Sequence, residues 1–277
     1  MQELKKRGVV PKQALGQHFL IDKGIAEKIV RLADLGAEDC VVEIGPGMGV
    51  LTFLMLPLVK QVIAVELDQG MINYLREKGE GKASLTIMRQ DALGFDYAKM
   101  AQAVGTRLQV VANLPYNIST PVIFRLLEYR EAFFRLTLML QLEVAERITA
   151  YPGSKAYGLL SIFTQLYTSP KILMRVPPEA FHPRPKVESA VVGFEILEHP
   201  RVAIEDEGFF KKVVKASFAQ RRKTLLNALR GALLPLPKEE IEEALVAAGI
   251  DPQRRAETLD LIEYQRLAVA LRRIGTH

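Results

Sequence analysis

Val41-Val42-Glu43-Ile44-Gly45-Pro46-Gly47-Met48-Gly49 decides the fold. A short apolar run that reads as a buried strand breaks into three glycines, and a helical pattern carrying Leu51, Leu54, Met55 and Leu58 follows at once. Glycines at such a junction let the backbone turn sharply and come close to a ligand. The spacing is GxGxG, not the GxGxxG that packs a dinucleotide pyrophosphate, and Pro46 removes one N–H that a phosphate would need.

Further strands are expected on either side of this unit. Residues 61–65 end in Glu66, residues 85–88 lead to Gln90-Asp91-Ala92, residues 108–112 lead to Asn113, and residues 135–141 form a fifth strand. Helical patterns cover residues 143–149 and 156–165. A last pair of strands, 171–176 and 187–196, flanks Pro177-Pro178-Glu179-Ala180-Phe181-His182-Pro183-Arg184-Pro185-Lys186. Strands alternating with helices predict an α/β fold with a mostly parallel sheet covered on both faces. The late pair, joined without a helix, implies an antiparallel edge strand. From His199-Pro200 onward only helical patterns remain, including 241–248 and 262–274, which places a domain boundary at 198: a catalytic domain over 1–198 and a small all-α domain over 199–277. Ahead of the glycine unit, residues 1–20 read as irregular, with a basic arm of Lys5, Lys6, Arg7 and Lys12. Asp22 then caps a helix that Gly36 ends.

Composition narrows the function. A chain of 277 residues with 49% hydrophobic and 25% charged residues can bury one large core and a smaller one. The formal charge of +5 and pI near 9.2 suit a polyanionic partner. Cys40 is the lone cysteine, so an internal disulfide is excluded and a reducing compartment is expected. His18, His182, His199 and His277 show no ligand spacing, so no metal site is expected. No apolar run approaches the roughly 20 residues of a membrane span, and a cytoplasmic protein is expected.

Candidate ligand groups collect where the strands end, which is where open α/β sheets keep their ligands. Glu66, about 20 residues after the glycines, suits a pair of ribose hydroxyls, and Asp91, one strand further on, suits an adenine amine. Singly, each also reads as a helix cap or a solvated rim. Asn113-Leu114-Pro115-Tyr116 looks like a clamp for a flat, amino-bearing base. An aromatic amine is a poor nucleophile because its lone pair is delocalised into the ring, and two acceptors on its N–H groups favour the pyramidal shape that methylation needs. Asn113 offers a side-chain oxygen, Leu114 a carbonyl that Pro115 holds in place, and Tyr116 a face for an extruded base, a contact worth about 1–3 kcal/mol. Read alone, the four letters equally suit a strand-to-helix turn, since Ser119-Thr120-Pro121 is a good helix start. The proline loop stiffens the display of Phe181 and His182, or bridges a hairpin with Phe181 in the core. Lys211, Lys212, Lys215, Arg221, Arg222 and Lys223, with Phe218, form the densest basic stretch and fit an RNA-backbone contact or a wet helix face.

With these motifs in order, the chain resembles the bacterial small-subunit ribosomal RNA adenine N6,N6-dimethyltransferases. The likeness rests on GQxFL at Gly16–Leu20, EIGPGxG at Glu43–Gly49, Glu66 with Asp68, Asp91-Ala92, NLPYNIS at Asn113–Ser119 and FxPxPKVxS at Phe181–Ser189. It spans nearly the whole chain. The resemblance implies a class I (Rossmann-like) methyltransferase fold with S-adenosylmethionine as cofactor. Gly45 and Gly47 would lie at its methionine part, Glu66 at the ribose, Asp91 at the adenine, His18 and Leu20 would close over it, and Asn113 would stand between cofactor and target. Asn113, Leu114, Pro115 and Tyr116 would be catalytic, and Tyr116 and Phe181 would sandwich the adenine. Lys211, Lys212, Arg221, Arg222 and Lys223 would contact RNA. At His18 the family commonly has Asn, so what carries over there is a backbone contact. The implied substrate is a pair of adjacent adenosines in a hairpin loop near the 3′ end of small-subunit ribosomal RNA, each dimethylated, within an immature small subunit; for the protein itself a monomer is the default expectation. Three other readings stand beside it: a large-subunit adenine methyltransferase of the antibiotic-resistance type, a non-catalytic assembly factor, and a nicotinamide-dependent oxidoreductase. The GxGxG spacing and the absence of a proton relay near the glycines count against the last.

Overall fold

A computed structural model of the chain describes residues 18–220, 222–232 and 236–274. The chain divides into two compact units, the first running to Ala145 and resuming over Ser169–Ile196, the second made of Glu146–Thr168 and the chain from Leu197 onward. The C-terminal edge of the first unit lies close to the expected boundary. The helical stretch 146–168, which the sequence pattern places in the catalytic domain, instead packs with the C-terminal helices.

In the first unit, β1 (Phe19–Leu20) precedes α1 (Lys23–Leu32), β2 (Cys40–Ile44), α2 (Val50–Met55), β3 (Gln61–Glu66), α3 (Gln69–Lys78), β4 (Leu85–Arg89), α4 (Tyr97–Val104), β5 (Leu108–Asn113), α5 (Ser119–Glu128) and β6 (Phe133–Gln141). After the excursion into the second unit, which begins within α6 (Leu142–Ile148) and includes α7 (Leu159–Tyr167), come β7 (Thr168–Val176), β8 (Phe181–His182) and β9 (Ser189–Ile196). Seven of these strands form one sheet in the order β4-β3-β2-β5-β6-β9-β7. Strands β2 through β6 run parallel and β9 pairs antiparallel with β6, as expected of a mostly parallel sheet with an antiparallel edge.

Local chemistry sets these elements. Every residue of β2 is buried, as a central parallel strand requires. Asp22 caps α1 by accepting from the Ile25 amide at 2.9 Å, and Asp68 caps α3 through the Gly70 and Met71 amides. Gly36 does not end α1: the helix stops at Leu32, Asp34 takes the left-handed conformation at φ 52°, and the Gly36 amide donates to Asp39. The core beneath the sheet joins Val41, Val62, Val111, Met139 and Val191 to Ala26, Ile29, Leu51 and Met55 of the helices.

One pairing has no counterpart in the sequence reading. β1 lies antiparallel to β8, with Phe19 opposite His182 and Leu20 opposite Phe181. The proline loop is therefore half of a two-stranded ribbon, and Phe181 belongs to the core with Leu20, Val176 and Ala180.

The second unit adds α8 (Glu207–Ser217), α9 (Leu225–Ala232), α10 (Lys238–Ala247) and α11 (Leu261–Ile274). Arg254 ties its turns together, donating to the Thr258 carbonyl at 2.7 Å and to Glu263. The Gly153 amide donates to the Glu257 carbonyl at 2.7 Å, which fastens segment 146–168 to this unit.

Candidate active site

The carboxyl ends of β2, β3, β4 and β5 bring Gly45, Glu66, Asp91 and Asn113 to one rim of the parallel sheet. The glycine turn sits there with Gly45, Gly47 and Gly49 at φ 65°, 54° and 74°, a region that disfavours any side chain. At Gly47 a Cβ would lie 2.8 Å from the Phe19 ring, so β1 lies directly over the turn.

Two neighbouring cavities share Gly45, Glu66 and Pro115. The larger, about 260 Å³, runs past Asp68, Asp91, Leu93 and Ile118. The smaller, about 60 Å³, reaches His18, Asn113, Leu114 and Tyr116. The sequence-predicted residues His18, Gly45, Gly47, Glu66, Asp91 and Asn113–Tyr116 thus all line one or other of these cavities. Leu20 lines a further small recess with Glu43 and Asn113. Among the described residues no group of His, Cys, Asp and Glu is arranged to hold a metal ion.

Glu66 is 8% exposed, and burial pushes its carboxyl above the ordinary carboxylate value against the opposing effect of three amides. Those amides are Leu67 N at 2.8 Å, Asp68 N at 2.9 Å and Gly47 N at 3.3 Å. A carboxylate has about four lone-pair sites, so this cradle leaves room for a hydroxyl donor. Asp91 is exposed and accepts from the Leu93 amide at 2.9 Å through one oxygen. An adenosyl group fits this end on both counts.

At the other end, the Asn113 side-chain nitrogen donates to the His18 carbonyl at 3.0 Å. A carbonyl only accepts, so the nitrogen must face it and the side-chain oxygen is the atom left over. The Leu114 amide is held by Met139 O at 3.0 Å, while no backbone amide among the described residues donates to the Leu114 carbonyl. Two acceptors on adjacent residues, the Asn113 side-chain oxygen and the Leu114 carbonyl, are therefore claimed by no backbone amide among the described residues. The Tyr116 hydroxyl shares a 2.6 Å hydrogen bond with Ser189, and burial raises its pKa.

Three features depart from the sequence reading or were absent from it. Phe181 is 3% exposed in the core and offers no open face; loop stiffness fixed its backbone without saying which way the ring turned. The ring beside Tyr116 is His18, at a centroid distance of 4.9 Å and a tilt of 32°. Glu43, 2% exposed, receives the Thr52 hydroxyl, and burial pushes its pKa up to about 8, reinforced by Glu66 nearby. The signal for Glu43 was a lone acid inside an apolar strand, two residues before the first glycine.

The basic stretch is only partly described. Lys212, Lys215, Arg222 and Lys223 are exposed. Lys211 is engaged by Glu207 at 2.6 Å and lies 5.8 Å from the centre of the Tyr167 ring. Phe218 stacks on Tyr264 at 6.3 Å. Arg221, like the basic arm and Gly16-Gln17, lies outside the described residues.

Comparison with known proteins gives one answer. The model of the ribosomal RNA adenine dimethylase family matches residues 10–270. The chain is 44% identical to the ribosomal RNA small subunit methyltransferase A of Geobacter metallireducens over 98% of this chain and 99% of that one. It is 47% identical to the protein of the same name from Syntrophotalea carbinolica over 93% and 96%. The crystal structure of a dimethyladenosine transferase from Plasmodium falciparum superposes with a TM-score of 0.78 at 28% identity, covering 93% of this chain and 98% of that one. The sheet order, the acids on its rim and these matches agree: the chain is an enzyme of the ribosomal RNA adenine dimethylase family.

Proposed function

We propose that this enzyme transfers methyl groups from S-adenosylmethionine to N6 of two adjacent adenosines in a hairpin loop near the 3′ end of small-subunit ribosomal RNA, two to each nitrogen. The observation that carries this reading is the commitment of the Asn113 nitrogen to the His18 carbonyl, which reserves an oxygen for a substrate amine next to the unclaimed Leu114 carbonyl. When bound, S-adenosylmethionine supplies an electrophilic methyl carbon on a sulfonium sulfur. Glu66 holds its ribose hydroxyls, Asp91 its adenine amine, and the Gly45–Gly47 turn and the backbone at His18 and Leu20 its amino-acid part.

The two oxygens accept hydrogen bonds from the two N6–H groups and so favour a pyramidal nitrogen whose lone pair is available. The methylated nitrogen is acidic enough to lose its proton to water, so no side chain has to serve as a strong base. Tyr116 provides the stacking face. RNA loops are commonly read through bases splayed onto aromatic rings. For the second methyl the clamp gives up one hydrogen bond and holds the monomethylated nitrogen through the other. The names of the bacterial relatives support the small subunit as target over the large one.

Lys212, Arg222 and Lys223 of the helical unit contact the RNA backbone, with Lys211 secondary because Glu207 already engages it. The substrate is an immature small subunit, met in the cytoplasm by a monomer that also serves assembly. No helix of the described residues is long and apolar enough to cross a membrane.

The test is mass spectrometry of ribosomal RNA after incubation of unmethylated small-subunit particles with methyl-labelled S-adenosylmethionine. Label on two neighbouring adenosines is expected; label confined to large-subunit RNA would reverse the choice of target. S-Adenosylhomocysteine should bind the free protein, and a nicotinamide dinucleotide should not.

A further inference from the structure

The Tyr116 ring already has another ring against it. The His18 imidazole lies 4.9 Å from it, centroid to centroid, tilted by 32°, within the 4.5–7 Å range of stacked aromatic pairs. Its Nδ1 is 2.7 Å from the Pro183 carbonyl, a hydrogen bond that anchors the ring. The cavity that His18, Tyr116 and Asn113 help to line measures about 60 Å³. It is the smaller of the two cleft cavities, against about 260 Å³ at the Glu66 end. Phe181, the other aromatic assigned to the base, is locked in the core.

We propose that the His18 side chain is a stand-in for the target adenine, covering Tyr116 in the free protein and displaced from it when the base arrives. The inference rests on the reading of Tyr116 as the stacking face. The two halves of residue 18 then have separate tasks. Its carbonyl holds the Asn113 nitrogen, and its ring turns about its own side-chain bonds, so the clamp stays set while the face is uncovered. The base must outcompete the chain's own ring and its bond to Pro183. His18 is thus a positioning residue that sets how tightly the target base is held.

Two measurements decide it. In steady-state assays on unmethylated small-subunit particles, His18→Ala should lower KM several-fold and His18→Phe should raise it, with kcat moving less than KM in both. In proton NMR of the free protein, the His18 Hε1 resonance, identified by its loss in His18→Ala, should lie upfield from the Tyr116 ring current and move downfield in Tyr116→Leu. An unchanged or raised KM in His18→Ala, or an Hε1 resonance indifferent to Tyr116→Leu, overturns the proposal. If the wild type methylates the particles and only these results fail, the clamp reading survives; if the wild type transfers no methyl group, both fall.

Discussion

At the Glu66 end of the cleft, the groups that fix the ligand-binding atoms are main chain: the amides of Gly47, Leu67 and Asp68 converge on one buried carboxylate. At the Asn113 end they are mostly side chains: Asn113 donates to the His18 carbonyl, the His18 ring lies against Tyr116 with its Nδ1 on the Pro183 carbonyl, and Tyr116 pairs with Ser189. A backbone cradle cannot rearrange without disturbing the turn that forms it. Side chains can turn at little cost. The contrast matches two different tasks, since one end receives the same small molecule each cycle and the other must admit a base drawn from a large RNA.

The largest effect that separates the ends is expected at Asn113. Asn113→Ala removes one of two acceptors and should lower kcat by about 10²–10³-fold, while S-adenosylhomocysteine affinity, followed by calorimetry, changes little and the melting temperature holds. Loss of both activity and cofactor affinity would mean that the two ends are not independent.

Next comes Glu43, beneath the glycine turn. Its pKa is raised by burial, and further by Glu66, from the ordinary 4.5 to about 8, even with Thr52 lowering it. The folded protein therefore binds a proton that the unfolded chain does not, and stability should decline as pH climbs from about 4.5 to about 8. Glu43→Gln should flatten that decline and gain a few kcal/mol at the top of the window, read from urea melts at several pH values. An undiminished slope in the variant would assign the dependence to another group.

At the cradle itself, Glu66→Ala should weaken S-adenosylhomocysteine binding by about 10–100-fold, corresponding to the roughly 1.5–3 kcal/mol of charge-assisted hydrogen bonds, with KM for particles less affected. The smallest effect is expected in the helical unit. Lys212→Ala combined with Arg222→Ala should reduce RNA affinity and lower the salt slope by about one for each phosphate that is no longer neutralised. Salt-independent binding in the wild type would remove that role.

The sheet was legible in the sequence because each strand is a compact apolar run bounded by turn residues, and the rim acids were legible because they stand one residue or a few past those runs. Glu43 stayed hidden as a single charge in an apolar strand. The β1–β8 ribbon was invisible for another reason: a pairing of Phe19 with His182 leaves no local pattern in either two-residue piece. Periodicity marks residues 156–165 as helical, yet it carries no information about which of two cores a helix joins, so it could not place segment 146–168 with the C-terminal helices. His18 was visible as a departure from the family, but only its position against Tyr116 gives that departure a physical meaning.

The close approach at Gly47 constrains how this protein can change over generations. Phe19 is held among Met48, Met71 and Tyr74 and is 9% exposed, so its ring has nowhere to retreat from a new methyl group. Alanine at position 47 also meets an unfavourable φ of 54°. Any lineage that loses this glycine must first trim the phenylalanine, which makes the two positions a ratchet that turns in one order only.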